Sequence, residues 1–302
     1  MATSGSKDYS ITRADIIEGA LRRIGVYDQG GAVPGEENKA AAFALNLMVK
    51  EWVARGIDIW LRKEVTLFLQ PGSQSYLLGS DHATLSYAET TLATAASGTV
   101  LDVTSSSGMT VSDFIGVKLD DNSVHWDTIA QVTITTGLPS AASSGKKVYA
   151  YTTKAGRPQK LLYAFRRDTS DFDTEVTIVG ENEYYEQSSK GSSGPPVEVR
   201  YRPTLDNGTL YVWPTDGGSN YDKLVMIAQY LPDDFDDQDD SPDFPIEWGN
   251  ALVWNLAAEL ASEYGIPERE QGRLWRIAEY KLEELLSYDV ENASVIFAMD
   301  YA

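Results

Sequence analysis

The sequence contains no cysteine, which excludes disulfides, thiolate metal sites and cysteine nucleophiles together. It has two histidines, His82 and His125, too few for a metal centre built from imidazoles. Cations are scarce: 25 Lys and Arg stand against 45 Asp and Glu, a net charge of −20. That balance argues against a broad nucleic-acid-binding face, because neutralising phosphates needs clustered Lys and Arg. No run of about 18 apolar residues occurs that would span a bilayer, so no membrane partner is expected. The opening MATSGSKDYS lacks the basic start and apolar stretch of a secretory signal, and the expectation is a protein made and folded in a cytoplasm. Motifs of common chemistry are also missing: there is no Gly-rich phosphate loop before a helix, no GxSxG and no HExxH. The 45 acidic residues permit a glycosidase-type carboxylate pair without indicating one, since the spacing that matters is spatial. No catalytic, cofactor-binding or metal-binding residue is assigned.

What is present is core-forming material. With 302 residues, 42% hydrophobic and 11% aromatic, the chain can bury one large core or two smaller ones. Thr12-Arg-Ala-Asp15 has capping-box form, and Ile16, Ile17, Ala20, Leu21 and Ile24 share one face before Gly25, which predicts a helix over residues 12–25. A second helix is expected over 36–55, with Leu45, Met48, Val49, Trp52 and Val53 inward and Asn46, Lys50, Glu51 and Arg55 wet, stopped by Gly56. Beyond that glycine, Ile57, Ile59 and Leu61 alternate with polar residues and Trp60, which reads as the start of a strand. Two more helices are expected over 245–264 and 267–288. The first is apolar nearly all round (Trp248, Leu252, Leu256, Leu260), and Pro267 suits the first turn of the second.

Residues 87–153 differ in composition. Ser, Thr, Gly and Ala dominate between short β-rich pieces, with a hairpin turn at Asp120-Asp121-Asn122, and this reads as a small inserted all-β domain. The chain then returns with KLLYAFRR, a short helix NEYYEQS, VEVRYRP, a hairpin turned at Asn207-Gly208, and the strand KLVMIAQYLP. The expected fold class is therefore α+β: a helical bundle of about four main helices packed with an antiparallel sheet, formed by 1–86 and 154–302, with the inserted β domain at 87–153 and a docking tail at 289–302.

Three features are candidates for function. Trp52, Trp60 and Trp248 read as braces; at the helix-to-sheet corner Trp52 and Trp60 are packing residues or, alternatively, ligand-stacking ones. From Leu231 to Ala302 there are 18 Asp and Glu against 4 Lys and Arg, −14 of the total −20. Asp233, Asp234, Asp236, Asp237, Asp239 and Asp240 crowd one loop there. It fails the EF-hand template, having no glycine at the turn and no closing glutamate, and reads as a solvated surface loop or as the wall of a DNA passage, since carboxylates repel phosphate. The tail carries Val295, Ile296, Phe297, Met299 and Tyr301, apolar surface that an end segment keeps when it docks on its own core, a neighbouring subunit or a partner.

Ile16-Ile17 with ALRRIGV (20–26), LNLMVKEWVARGIDIW (45–60), GTLYVWPT (208–215) and DFPIEWGNALVWNLAAELASEYGIP (243–267) together resemble the head-to-tail adaptors of tailed bacteriophages, similar to the tail tubular protein A and gatekeeper group of short-tailed phages. The resemblance covers nearly all of the chain outside 87–153, and its motifs are packing signatures. It implies a structural virion protein without enzymatic activity or cofactor. The implied assembly is a homo-oligomeric ring of about twelve copies, built in the host cytoplasm, attached to the portal protein and continuing the DNA channel toward tail nozzle or tail fibre proteins. DNA would pass through without sequence-specific binding. The resemblance also assigns the C-terminal helices and tail to the portal or neighbouring subunits. The insert departs from the compact pattern. Its uses would be to widen the ring, hold fibres, or touch host glycans through Trp126, Tyr149 and Tyr151. The competing reading is a tail-associated carbohydrate-binding or glycan-degrading protein, which predicts exposed aromatics on the insert, or a cleft holding a carboxylate of raised pKa.

Overall fold

The computed structural model describes residues 9–27, 34–57, 59–130, 133–217 and 221–288. The helices are α1 (Arg13–Arg23), α2 (Gly35–Ala54), α3 (Glu181–Glu186), α4 (Gly249–Leu260) and α5 (Glu268–Tyr288). The strands are β1 (Arg62–Phe68), β2 (Ser75–Leu78), β3 (Ala83–Thr84), β4 (Ala88–Thr91), β5 (Phe114–Lys118), β6 (Val124–Ala130), β7 (Thr133–Ile134), β8 (Lys147–Tyr151), β9 (Lys160–Asp168), β10 (Asp173–Ile178), β11 (Glu198–Pro203), β12 (Gly208–Trp213) and β13 (Tyr221–Gln229).

The expected class, a helical bundle packed with a sheet, is overturned. The protein is mostly β: among the described residues there are thirteen strands in two sheets and only five helices. The helices announce themselves through local caps and 3.6-residue periodicity. Most strands are short and are defined by partners far away in sequence, which no local pattern reveals.

Contacts divide the chain into two compact units, one of residues up to Trp60 and from Leu231 onward, the other Leu61–Tyr230. In the first, Thr12 Oγ1 accepts the Asp15 N–H at 3.2 Å and Asp15 Oδ2 accepts the Thr12 N–H at 2.9 Å, so the capping box forms as read. Ile16, Ile17, Ala20 and Leu21 of α1, Leu45, Met48, Val49 and Trp52 of α2, and Leu252, Leu256, Leu260 and Ala261 from α4 and its end share one core. Leu274 and Ala278 of α5 join it. Among the described residues no helix is long and apolar enough to cross a membrane.

In the second unit an eight-stranded sheet runs in the order β2-β12-β11-β10-β9-β13-β1-β3. Its two edges, β2 and β3, are joined by the short link from Leu78 to Ala83, which reaches at most about 18 Å. Eight flat strands would separate those edges by roughly 34 Å. The sheet therefore curls until it is nearly a barrel. Val65, Leu67, Leu78, Val199, Leu210, Val212, Leu224 and Met226 fill its inside. The β11–β12 hairpin turns over Thr204–Asn207, with Thr204 N–H donating to the Asn207 carbonyl and Gly208 already paired with Pro203, so Asn207-Gly208 is not itself the two-residue turn.

The second sheet has the order β4-β8-β5-β6-β7. Its β5–β6 turn is where the sequence puts it, with Asn122 at φ +67°. Along β8 the side chains alternate faces, as a pleated strand requires. Val148 packs with Ile115, Val117 and Leu92 on one side, while Tyr149 and Tyr151 join Phe68, Val124 and Trp126 on the other.

Candidate functional site

The tryptophans named from sequence converge with a phenylalanine. Trp52 lies 6.0 Å from Trp248 and 6.1 Å from Phe244, and Trp60 lies 4.8 Å and 5.1 Å from the same two rings. Trp60 Nε1 donates to the Asp243 carbonyl at 2.9 Å. All four rings belong to the helical unit, so the brace joins the end of α2 to the approach to α4 rather than a helical layer to a sheet. The expected strand at Ile57–Leu61 is instead a 3-10 turn over Ile59–Leu61, with β1 beginning at Arg62. Ring burial at this corner outweighs the local alternation.

The acidic loop is tied down through its backbone. Arg13 N–H donates to the Asp240 carbonyl at 2.8 Å and Ala14 N–H to the Gln238 carbonyl at 3.1 Å, so the loop satisfies two of the N-terminal amides that α1 cannot pair internally. The Arg13 guanidinium donates to the Phe235 and Asp236 carbonyls. Asn46 brackets Phe235, its Nδ2 donating to the Phe235 carbonyl at 3.3 Å and its Oδ1 accepting the Phe235 N–H at 3.0 Å. Lys50 pairs with Asp234 at 2.7 Å. Asp240 Oδ2 accepts the N–H groups of Asp236 and Asp237 at 2.8 and 2.6 Å. The six aspartates thus differ in role. Asp240 folds the loop and Asp234 anchors it, whereas Asp233, Asp236, Asp237 and Asp239 are exposed. Val295, Ile296, Phe297, Met299 and Tyr301 lie outside the described residues.

Of the rings put forward for glycan contact, two are buried and Trp126 is half-buried. Tyr149 is 0% and Tyr151 3% exposed, and Trp126 stacks on His82 with centroids 4.1 Å apart. Together with Phe68, Tyr87 and Phe114 they form an aromatic layer between the two sheets. The Tyr151 hydroxyl sits 2.6 Å from His82 Nδ1. Burial, with a smaller contribution from Lys154, pushes the His82 pKa down to about 4. The one carboxylate among the described groups held above its ordinary range, Glu259, owes this to burial and then to Glu51. It sits on an exposed face of α4 rather than in a cleft.

Sequence reading missed Lys223, a lone cation near the start of an apolar strand. It is 1% exposed, and its Nζ reaches Glu89 at 2.8 Å, Tyr87 Oη at 3.2 Å and Asp171 at 3.4 Å. Burial alone would lower its pKa, yet the bonds to Glu89 and Tyr87 outweigh that and raise it. Lys147 also pairs with Glu89, at 2.8 Å. It also missed Arg200, buried on β11 among Tyr184, Tyr185 and Tyr211 and paired with Glu181 at 2.5 Å.

A cleft of about 440 Å3 opens on the five-stranded sheet, lined by Leu101, Val103, Met109, Ile115, Ile129 and Ile134 with Asp102 and Thr133. Among the described residues, no group of three or more His, Asp or Glu is placed to hold a metal ion. No known protein family and no curated protein matches the chain. What the geometry offers is a packed, ring-braced corner in the helical unit and an acidic loop tied to it through its backbone.

Proposed function

We propose that this chain is a structural virion protein, the head-to-tail adaptor of a tailed bacteriophage. In this reading it forms a ring on the portal, prolongs the DNA channel and seats the tail, and it has no enzymatic role. One observation carries the reading: three of the four segments that resemble adaptors, the first and last more than two hundred residues apart, meet in one core. Ile16 and Ile17, Trp52 with Trp60, and Phe244 with Trp248 all belong to the same cluster. The burial of Tyr149 and Tyr151, and the half-buried stacking of Trp126 on His82, count against these rings as a glycan-binding platform.

The test is electron microscopy of the full chain mixed with the portal protein of the same phage genome, beside a sample truncated after Tyr288. Rings on the portal that vanish on truncation support the adaptor role and assign the apolar tail to the contact. Absence of rings with the full chain under every condition tried defeats it.

A further inference from the structure

The C-terminal part of the helical unit gathers its cations on one helix, interspersed there with five glutamates. All four cations between Leu231 and Ala302 lie on α5: Arg269, Arg273, Arg276 and Lys281. Leu274 and Ala278 are the buried residues of that helix. Arg269, Arg273, Arg276 and Tyr280 follow at i, i+4, i+7 and i+11, so they form one stripe on the opposite face. All four are exposed, Tyr280 at 60%. Between them lies a shallow, open groove of about 380 Å3 on the surface of this one helix, lined by Arg273, Arg276, Ile277 and Tyr280.

The same unit carries a surface of opposite character. Phe43 and Leu47, 67% and 56% exposed, are neighbours on the outward face of α2. The adjoining positions Asn46 and Lys50 clasp the acidic loop through Phe235 and Asp234. The apolar ridge, with Lys39 one turn before it, thus stands beside the carboxylates of the acidic loop, while the depression on α5 is bordered by guanidiniums, of which Arg273 pairs with Glu270 at 2.8 Å. An apolar centre with a charged rim is the build of a protein interface.

We propose that the arginine stripe and groove of α5 in one copy receive the Phe43-Leu47 ridge and acidic loop of a second copy, in a head-to-tail contact. The proposal rests on the ring reading and names the surfaces that meet in it. Charge complementarity selects the occupant. Copies of net charge −20 repel one another at long range, and pairing acidic loop with acidic loop, or stripe with stripe, would add repulsion. Pairing unlike faces removes it and makes the contact heterologous, the kind that generates a ring when its rotation closes. The acidic loop then lies between copies rather than on a channel wall.

The test uses the full chain at low salt in sedimentation velocity, with circular dichroism to verify folding. The double variant R273E/R276E disables the stripe, and F43S/D236K disables the ridge. Each alone is expected to associate on the order of 100-fold more weakly than wild type, tenfold being about 1.4 kcal/mol for each of its two substitutions: two charge reversals in R273E/R276E, one reversal and one lost aromatic in F43S/D236K. Mixed together they are expected to form a two-chain complex that does not grow, because one good face of each remains. Wild-type association that both variants leave within about threefold, or a mixture no better than its components, overturns the proposal. So does a wild type that stays monomeric both alone and with the portal. Rings on the portal that persist with R273E/R276E defeat this contact while leaving the adaptor role standing. Self-association through these faces without any ring on the portal does the reverse.

Discussion

Phe68 of β1 and Lys223 of β13 are direct register partners in the eight-stranded sheet, and both side chains leave it for the five-stranded one. Phe68 enters the aromatic layer 4.7 Å from Tyr149, and Lys223 crosses to Glu89. One cross-strand pair therefore joins the sheets by an apolar contact and an ionic one.

Lys223→Met should destabilise the β unit by about 2–4 kcal/mol in urea denaturation. This lies toward the lower part of the range for breaking a buried pair, because Glu89 keeps Lys147. A folded pKa raised above the usual 10.5 means the contribution is complete below that pH and fades as pH climbs through the higher folded value. The gap between wild type and variant should hold at neutral pH and narrow in strong alkali. A gap independent of alkaline pH would assign Lys223 to packing alone.

His82 works in the acid direction. With the folded pKa near 4 against an ordinary 6.5, the unfolded chain takes up its proton first, so stability falls between pH 6.5 and 4 and this loss levels off below. His82→Phe keeps a ring on Trp126 and should flatten that part of the curve. Melting temperatures of both proteins across this range give the difference directly, free of the carboxylates that titrate there in both.

Gly116 faces Trp126 across the β5–β6 pair, and a Cβ placed on it would lie 2.6 Å from the indole. Gly116→Ala should displace the indole from His82 and cost roughly 1–3 kcal/mol, as overpacking does, with a change in tryptophan emission. Gly98→Ala, whose Cβ would meet nothing within 4 Å, is the control and should stay within about 0.5 kcal/mol.

The acidic loop should respond unevenly. Asp240→Ala removes the acceptor of two amides and is expected to cost about 1–3 kcal/mol, the loss of hydrogen bonds to a charged group. It should also raise hydrogen exchange at the start of α1. Asp239→Ala should be nearly silent. Equal effects at both positions would mean the loop is held by its summed charge and not by Asp240.

Trp248→Ala should cost about 3–5 kcal/mol and fall on the helical unit alone. Calorimetry is then expected to show that unit melting ahead of the β unit, as two transitions. A single cooperative shift would show that the two units unfold together.

The helices were legible because their signals are local. Thr12 caps, Gly25 and Gly56 stop at φ +76° and +93°, and inward positions such as Leu45, Met48 and Trp52 recur every three or four residues. The four long helices sit within a few residues of where periodicity puts them, the one expected over 245–264 opening as a 3-10 turn at Ile246–Trp248 and running as α4 only to Leu260. The mutual brace of tryptophans was legible as packing, though not its partner Phe244, which lies far along the chain. What misled was counting elements by the strength of their signal. Pieces of two to five residues such as β3, β4 and β7 carry no period of their own, and the share of β structure was underestimated.

By itself, then, the sequence determined which chemistry is excluded, where the helices begin and end, and that the C-terminal quarter is acidic, because composition and caps act through neighbouring residues. Only the tertiary structure decided that the sheet curls nearly to closure, that Trp126, Tyr149 and Tyr151 face inward, and that Lys223 finds Glu89. These depend on pairings across tens to hundreds of residues, where burial of one face and satisfaction of buried charge select among registers that the local sequence leaves open.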